Sequence, residues 1–213
     1  MLNIYSTLIT SIIVQIITGV IEISALFIKV PERKHFLKQM MLLEVIVQII
    51  EGIFYFVWFL HFKRIKNITP SRYFDWAITT PTMLINLIFY LIFLQDNNVH
   101  FFELFKKEFY TIITVLLLNW MMLFFGYLGE IHKTPVTGVL LGFIPFLLYY
   151  YIIYKKYAIG KGVRLFFYFF IVWCFYGIVA LFSYKIKNMC YNVLDLFSKN
   201  FFGLFLTYLI FKG

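Results

Sequence analysis

The chain has 213 residues, of which 62% are hydrophobic and 14% charged, and its formal net charge at pH 7 is +9. A soluble domain keeps part of its surface in water and cannot bury this much apolar material, so the composition indicates a protein whose solvent is lipid. The positive charge does not indicate nucleic-acid binding, because Lys and Arg lie in short segments between apolar runs rather than in one patch.

Seven apolar runs are long enough to cross a bilayer, for which a helix needs roughly 20 mostly apolar residues. In chain order they are Ile4–Val30, Leu37–Phe62, Pro70–Leu94, Phe109–Leu128, Pro135–Tyr154, Val163–Tyr184 and Met189–Phe211. The connectors are short and carry charged and turn-forming residues, so none holds a soluble domain. We therefore expect an all-α membrane protein in which residues 1–213 form a single seven-helix domain without a removable signal peptide.

The charges of the connectors predict the orientation of the bundle. Connectors 1–2, 3–4 and 5–6 together with the C-terminus hold eleven Lys and Arg residues, whereas the other three connectors hold six. Positive residues are enriched on the cytoplasmic side, so we expect an extracellular N-terminus and a cytoplasmic C-terminus.

Neither an enzyme nor a metal site is indicated by the sequence. Cys174 and Cys190 lie inside apolar runs, where free thiols behave as small hydrophobic groups. The four histidines lack the spacing of metal ligands and are scattered near the span ends: His35, His61, His100 and His132. No nucleophile–base pair typical of an active site is recognised in the sequence.

Polar residues recur inside four spans at spacings that place them on one face of each helix. They are Ser11, Gln15, Thr18 and Glu22 in the first span, Glu44, Gln48, Glu51 and Tyr55 in the second, Arg72, Asp75, Thr79 and Asn86 in the third, and Asn192, Asp195 and Lys199 in the seventh. Ionisable groups inside a bilayer are costly and must face the bundle interior or water. Four such stripes exceed what helix association requires, so we expect a hydrophilic seam among helices 1, 2, 3 and 7.

Lys199 lies near the middle of the seventh span, too far from either interface for its ammonium group to reach water. A buried lysine must be neutral, paired or covalently bound, and its amine forms a Schiff base with an aldehyde. A protonated imine would need carboxylates, which Asp195, one turn earlier, and Asp75 can supply. Arg72, one turn from Asp75, would offset the excess negative charge.

Two strings resemble signatures of the microbial rhodopsins. Residues 72–81, which read RYFDWAITTP, are similar to the RY-x-DW-x-x-TTP motif of the third helix, and residues 194–199, LDLFSK, are similar to the LD-x-x-x-K retinal-attachment motif. Trp173 and Tyr176 match the W-x-x-Y of the sixth helix. Gly177 departs from the family, which usually has a proline after that tyrosine.

The resemblance implies a cofactor and a set of site residues. By it, Lys199 binds all-trans retinal as a protonated Schiff base, Asp75 and Asp195 are the counterions, and Asp75 is also the primary proton acceptor. Thr79 is implied to hydrogen-bond Asp75. Five residues of helices 3, 4 and 6 are implied to line the polyene: Trp76, Asn119, Met122, Trp173 and Tyr176.

The second-span stripe also resembles the group 1 viral rhodopsins, which are encoded by giant viruses of algae and other protists and understood as light-gated cation channels. That resemblance implies constrictions that open when the Schiff base loses its proton, in the host cell membrane if the gene is viral. The implied ion pathway comprises eight residues: Ser11, Glu44, Gln48, Glu51, Arg72, Asn86, Asn192 and Asn200.

Two other functions remain open. A light-driven outward proton pump of this family has a carboxylate where this chain has Asn86, and acidic residues where segment 185–188 is basic, so both departures argue against efficient pumping. A photosensor needs a transducer, and no segment indicates one. We expect a light-gated cation channel. Its expected partners are the lipid bilayer and the cations or protons that it transports, and nucleic acid is not among them. The sequence is compatible with a homo-oligomer.

Overall fold

The structure, a computed structural model, describes residues 3–212 apart from the side chain of Arg33 and contains seven helices long and apolar enough to span a membrane. They are α1 (Ile4–Leu26), α2 (His35–Leu60), α3 (Thr69–Phe93), α4 (Phe101–Ile131), α5 (Pro135–Tyr157), α6 (Gly162–Val179) and α7 (Tyr184–Phe211). A 3-10 turn at Glu32–Lys34 precedes α2. The predicted seven-helix all-α membrane fold is confirmed.

Several helix ends differ from the prediction. Helix α4 begins at Phe101 instead of Phe109, because its first two turns carry charged residues that lower the local hydropathy without breaking the helix. Glu108, in one of those turns, is held by Lys156 at 2.6 Å and by the hydroxyl of Tyr157 at 2.5 Å, both on α5. Hydropathy therefore underestimates the length of a helix whose charged end is paired with its neighbour.

The turn between α6 and α7 lies earlier than predicted. Helix α6 ends at Val179 rather than Tyr184, and α7 begins at Tyr184 rather than Met189. The turn residues 180–183 include a leucine and a phenylalanine, so the apolar run continues through a break in the backbone that hydropathy does not detect. Helix α1 likewise ends at Leu26, four residues before the end of its apolar run.

Helix α7 changes its winding at its centre. Residues Leu196–Asn200 form a π-helical turn in which the amide of Phe201 donates to the carbonyl of Leu196, five residues earlier. Lys199 lies in this turn. Such turns are rare and frequently occur at functional sites, because the additional residue redirects the neighbouring side chains.

The helices expose apolar side chains and bury polar ones, the reverse of a soluble bundle. Helix α1 presents four aliphatic residues that are each more than half exposed: Ile13, Ile16, Ile17 and Val20. Its opposite face buries the predicted polar stripe: Ser11, Gln15, Thr18 and Glu22. This arrangement suits a bundle that is surrounded by lipid and has a polar interior, since an unsatisfied polar group in hydrocarbon costs several kcal/mol.

Candidate functional site

Lys199 is the centre of a cluster of buried charges. Its Nζ lies 3.0 Å from Oδ2 of Asp75, 3.3 Å from Oε1 of Glu51 and 3.8 Å from Oδ1 of Asp195. Lys199 is 2% exposed and the three carboxylates are fully buried. The structure thus brings together the amine and the two aspartates named from the sequence, and adds Glu51, which the sequence had assigned only to the ion pathway.

Asp195 is held in place from several directions. Its Oδ2 accepts hydrogen bonds from the hydroxyl of Tyr55 at 2.5 Å and from Nη1 of Arg72 at 3.3 Å. Its Oδ1 accepts from the hydroxyl of Tyr176 at 2.7 Å. Because two phenols and two cations contact this one carboxylate, Asp195 is suited to remain a fixed negative charge beside Lys199.

Asp75 and Glu51 are less fully bonded than Asp195. Oδ1 of Asp75 and both carboxylate oxygens of Glu51 have no hydrogen-bond partner among the described residues. If all groups are ionised, the three carboxylates exceed the two cations, Lys199 and Arg72, by one negative charge. Buried uncompensated charge is costly, so the cluster is arranged to take up a proton or a cation.

The contact between Thr79 and Asp75 differs from the one that the resemblance implied. The hydroxyl of Thr79 donates to the main-chain carbonyl of Asp75 at 3.0 Å, not to its carboxylate. A threonine inside a helix commonly bonds the carbonyl four residues earlier, and that bond occupies its only proton. The carboxylate of Asp75 is therefore left with Lys199 as its hydrogen-bond donor.

Arg72 lies beyond Asp195, near the beginnings of α3 and α7, and belongs to a network of contacts that joins α1, α2, α3 and α7. Its Nε donates to Oδ1 of Asn188 at 3.0 Å, its Nη2 donates to Oδ1 of Asn192, and its guanidinium lies 4.7 Å from the ring centroid of Trp58. The main-chain carbonyl of Asn192 also accepts from the hydroxyl of Ser11 at 2.9 Å. This Arg72 network fills the seam on one side of Lys199 with bonded polar groups.

On the other side of Lys199, the polar residues form smaller groups. Nδ2 of Asn86 donates to Oε1 of Glu44 at 2.6 Å and to the carbonyl of Met40 at 3.1 Å. Asn200 donates to the hydroxyl of Thr18. The eight residues of the predicted ion pathway are all at least nine-tenths buried and lie along the seam among α1, α2, α3 and α7.

A cavity adjoins Lys199 on its other flank, between α3, α4, α5 and α6. Four of the five residues implied for the polyene line it: Trp76, Met122, Trp173 and Tyr176. Asn119 does not line it; its Nδ2 donates at 2.8 Å to the hydroxyl of Thr80, which is itself a lining residue. The resemblance implied Asn119 as a pocket residue but could not reveal its hydrogen bond to Thr80.

Glycines determine the shape of this cavity. A Cβ on Gly126 would lie 2.8 Å from the ring of Tyr73, and one on Gly177 would lie 2.5 Å from the ring of Phe143. The Phe143 ring therefore occupies space that a proline at position 177 would require. A largely apolar chamber that ends at a buried primary amine fits retinal, a long apolar aldehyde, and Lys199 is the residue that would hold it.

Comparisons with known proteins agree with this geometry. The profile of a family described as bacteriorhodopsin-like protein matches residues 5–213. The crystal structure of the viral rhodopsin OLPVRII is 29% identical, covers 98% of both chains and has a TM-score of 0.87. None of the curated proteins matches the chain in sequence.

Two more distant structures share the fold. Xanthorhodopsin, described as a light-driven ion pump with dual chromophore, is 17% identical over 97% of this chain and 91% of its own, with a TM-score of 0.77. Bromide-bound halorhodopsin from Halobacterium salinarum is 15% identical over 96% of this chain and 92% of its own, with a TM-score of 0.75.

Proposed function

This chain belongs to the bacteriorhodopsin-like family of integral membrane proteins, which bind retinal through a Schiff base to a lysine, and we propose that it is a light-gated cation channel. In this proposal Lys199 carries the retinal, Asp75 accepts its proton, and Asp195 is the fixed counterion. The seam among α1, α2, α3 and α7 is the conduction path. The N-terminus lies outside the cell, as the connector charges predict.

The observation that carries the proposal is the succession of buried polar groups on both sides of Lys199. From Ser11 and Asn192, through Glu51, to Thr18 and Asn200, these groups lie between α1, α2 and α7 and not in the cavity on the other flank of Lys199. Carboxylates along a path select cations by charge. A seam with acidic groups beside the photochemical centre couples light absorption to cation movement.

Gating follows from the charges around Lys199. When bound, retinal supplies a light-driven change of geometry at the lysine nitrogen. Asp75 accepts the proton through Oδ2, the carboxylate oxygen that lies 3.0 Å from Nζ. The positive charge that separated Glu51 from Asp195 is then gone, so these two carboxylates repel each other or attract a cation. Movement of Asp195 also releases Arg72, whose network fills the seam.

A second candidate function, the outward proton pump, is favoured by one observation. The carboxylate of Glu44 lies 2.6 Å from Asn86, the position where the sequence lacks the carboxylate expected of a pump. A helix-2 carboxylate in that place is suited to return a proton toward Lys199. The two functions differ in whether the ionic gradient sets the direction of the current.

Photocurrents of cells that express the protein are expected to reverse when the cation gradient is reversed. A channel conducts down the electrochemical gradient, whereas a pump keeps one direction. Whole-cell voltage clamp with sodium exchanged between bath and pipette measures the reversal voltage. A current that remains outward at every voltage and gradient would contradict the channel and favour the pump.

Replacing Glu51 by glutamine is expected to alter both the colour and the conduction of the retinal-bound protein. The Glu51 carboxylate, 3.3 Å from Nζ, stabilises the positive charge at this nitrogen in the ground state. Without it the ground state rises in energy, so the absorption maximum shifts to longer wavelength. Retinal binding is retained, because Asp75 and Asp195 remain. Spectroscopy and voltage clamp on the same variant measure the two effects.

The matched control is Glu103→Gln, which removes an exposed carboxylate near the beginning of α4. It is expected to leave the absorption maximum and the sodium current unchanged. Unaltered colour and conductance in the Glu51 variant would show that the path lies elsewhere.

A further inference from the structure

Thr18 of α1 is the centre of a buried polar cluster on the side of Lys199 opposite to Arg72. Its hydroxyl accepts hydrogen bonds from Nε2 of Gln48 on α2 at 3.3 Å and from Nδ2 of Asn200 on α7 at 2.5 Å. The same Nε2 donates to Oε1 of Glu22 at 3.1 Å. These four residues, Thr18, Glu22, Gln48 and Asn200, are at least 92% buried, and we call them the Thr18 cluster.

The hydrogen-bond roles in the Thr18 cluster are fixed by its chemistry. The hydroxyl of Thr18 donates its proton to the main-chain carbonyl of Val14 at 2.9 Å and can only accept from side chains. Both amides must therefore turn their NH₂ groups toward Thr18. Their oxygens, Oε1 of Gln48 and Oδ1 of Asn200, are left without a hydrogen-bond partner among the described residues.

Glu22 adds an unbalanced charge to the Thr18 cluster. Its side chain is fully buried, and its Oε2 also lacks a hydrogen-bond partner. The ion pairs of the described residues do not include it. Its carboxylate lies against the α-carbon of Gly203, where any larger residue would collide with it. The cluster therefore combines one uncompensated carboxylate with two unpaired amide oxygens in a place that bulk water does not reach.

We propose that the Thr18 cluster binds a partly dehydrated monovalent alkali cation, such as Na⁺ or K⁺, as one station of the conduction path. Carboxylate and amide oxygens are the ligands that hard cations prefer. One carboxylate among neutral oxygens balances a single positive charge, which favours a monovalent over a divalent ion. Both polar atoms of Gln15, one turn from Thr18, are also buried and lack a hydrogen-bond partner among the described residues, so its amide oxygen is a further candidate ligand for the ion.

This site rests on the proposed channel function but is testable without it. In the dark, purified retinal-bound protein is examined by infrared difference spectroscopy while Na⁺ is exchanged for N-methyl-D-glucamine, an organic cation too large to enter the site. We expect a shifted carboxylate stretching band in the wild type and in Glu103→Gln, and no such band in Glu22→Gln. A wild-type protein without a cation-dependent carboxylate band, or a Glu22→Gln variant that keeps it, overturns the site.

Voltage clamp measures the same site during conduction. Losing a charged contact weakens binding by roughly tenfold, so the sodium concentration that gives half of the maximal photocurrent is expected to rise by about that factor in Glu22→Gln. Glu22→Asp keeps the charge on a shorter side chain, and an intermediate value is expected. The visible absorption band verifies that each variant is folded.

The outcomes separate the two proposals. A wild-type current that does not reverse with the gradient removes the channel, while the dark infrared band still decides the site. A reversing wild-type current with the same half-saturating sodium concentration in Glu22→Gln overturns the site and leaves the channel intact.

Discussion

Replacing Lys199 by alanine is expected to abolish the visible absorption of the retinal-reconstituted protein completely. Lys199 is the lysine whose amine reaches the cavity lined by Trp76, Trp173 and Tyr176. Without this amine no Schiff base forms there, and free retinal lacks the positive charge that moves its absorption into the visible. The absorption spectrum of the purified variant, after incubation with all-trans retinal, is the measurement.

Lys187→Ala is the matched control for this variant. Lys187 lies on the same helix, is 6% exposed and forms an ion pair with Glu130 at 2.7 Å, but it does not line the cavity. Its replacement is expected to keep the absorption band even if it lowers stability. An undiminished band in the Lys199 variant would exclude that residue as the attachment point.

Replacing Asp75 by asparagine is expected to slow the light-induced deprotonation of Nζ by about 10²-fold or more, the usual contribution of a positioned general base. Asp75 is the only hydrogen-bond acceptor of Nζ in the described structure, at 3.0 Å, and an asparagine oxygen cannot take the proton as a carboxylate does. Photocurrents that depend on this step are expected to fall correspondingly. Time-resolved absorption after a flash reports the deprotonation.

Asp96→Asn serves as the control, because Asp96 is exposed in the connector between α3 and α4. Its photochemistry is expected to equal that of the wild type. Deprotonation at the wild-type rate in the Asp75 variant would show that another group accepts the proton. The nearest other carboxylate is Glu51, whose Oε1 lies 3.3 Å from Nζ.

Much of the fold was predictable because membranes impose simple rules. Each span needs a long apolar run, and polar residues within a span must face inward, so hydropathy and helical spacing together gave seven helices and four inward-facing stripes. The structure confirms the seven helices and buries every residue of those stripes. Helix ends were less predictable, since the charged first turns of α4 are stabilised by Lys156 on another helix.

The finer geometry of the site was less accessible from the sequence. Spacing placed Glu51 on the inward face of α2, but its distance from Lys199 depends on how α2 packs against α7. The π-helical turn around Lys199 has no local sequence signal, and it shifts every later residue of α7 relative to a regular helix. The bond from Asn119 to Thr80 likewise depends on the relative rotation of α3 and α4.

The proposed photochemistry depends on one covalent bond, between retinal and the nitrogen that Asp75, Glu51 and Asp195 surround. Borohydride reduction of the retinal-bound protein makes that bond permanent, and mass spectrometry of its peptides then locates the retinyl group. We expect the added mass on the peptide that contains Lys199. A retinyl group on any other lysine, or on none, would contradict the assignment of this buried amine as the photochemical centre.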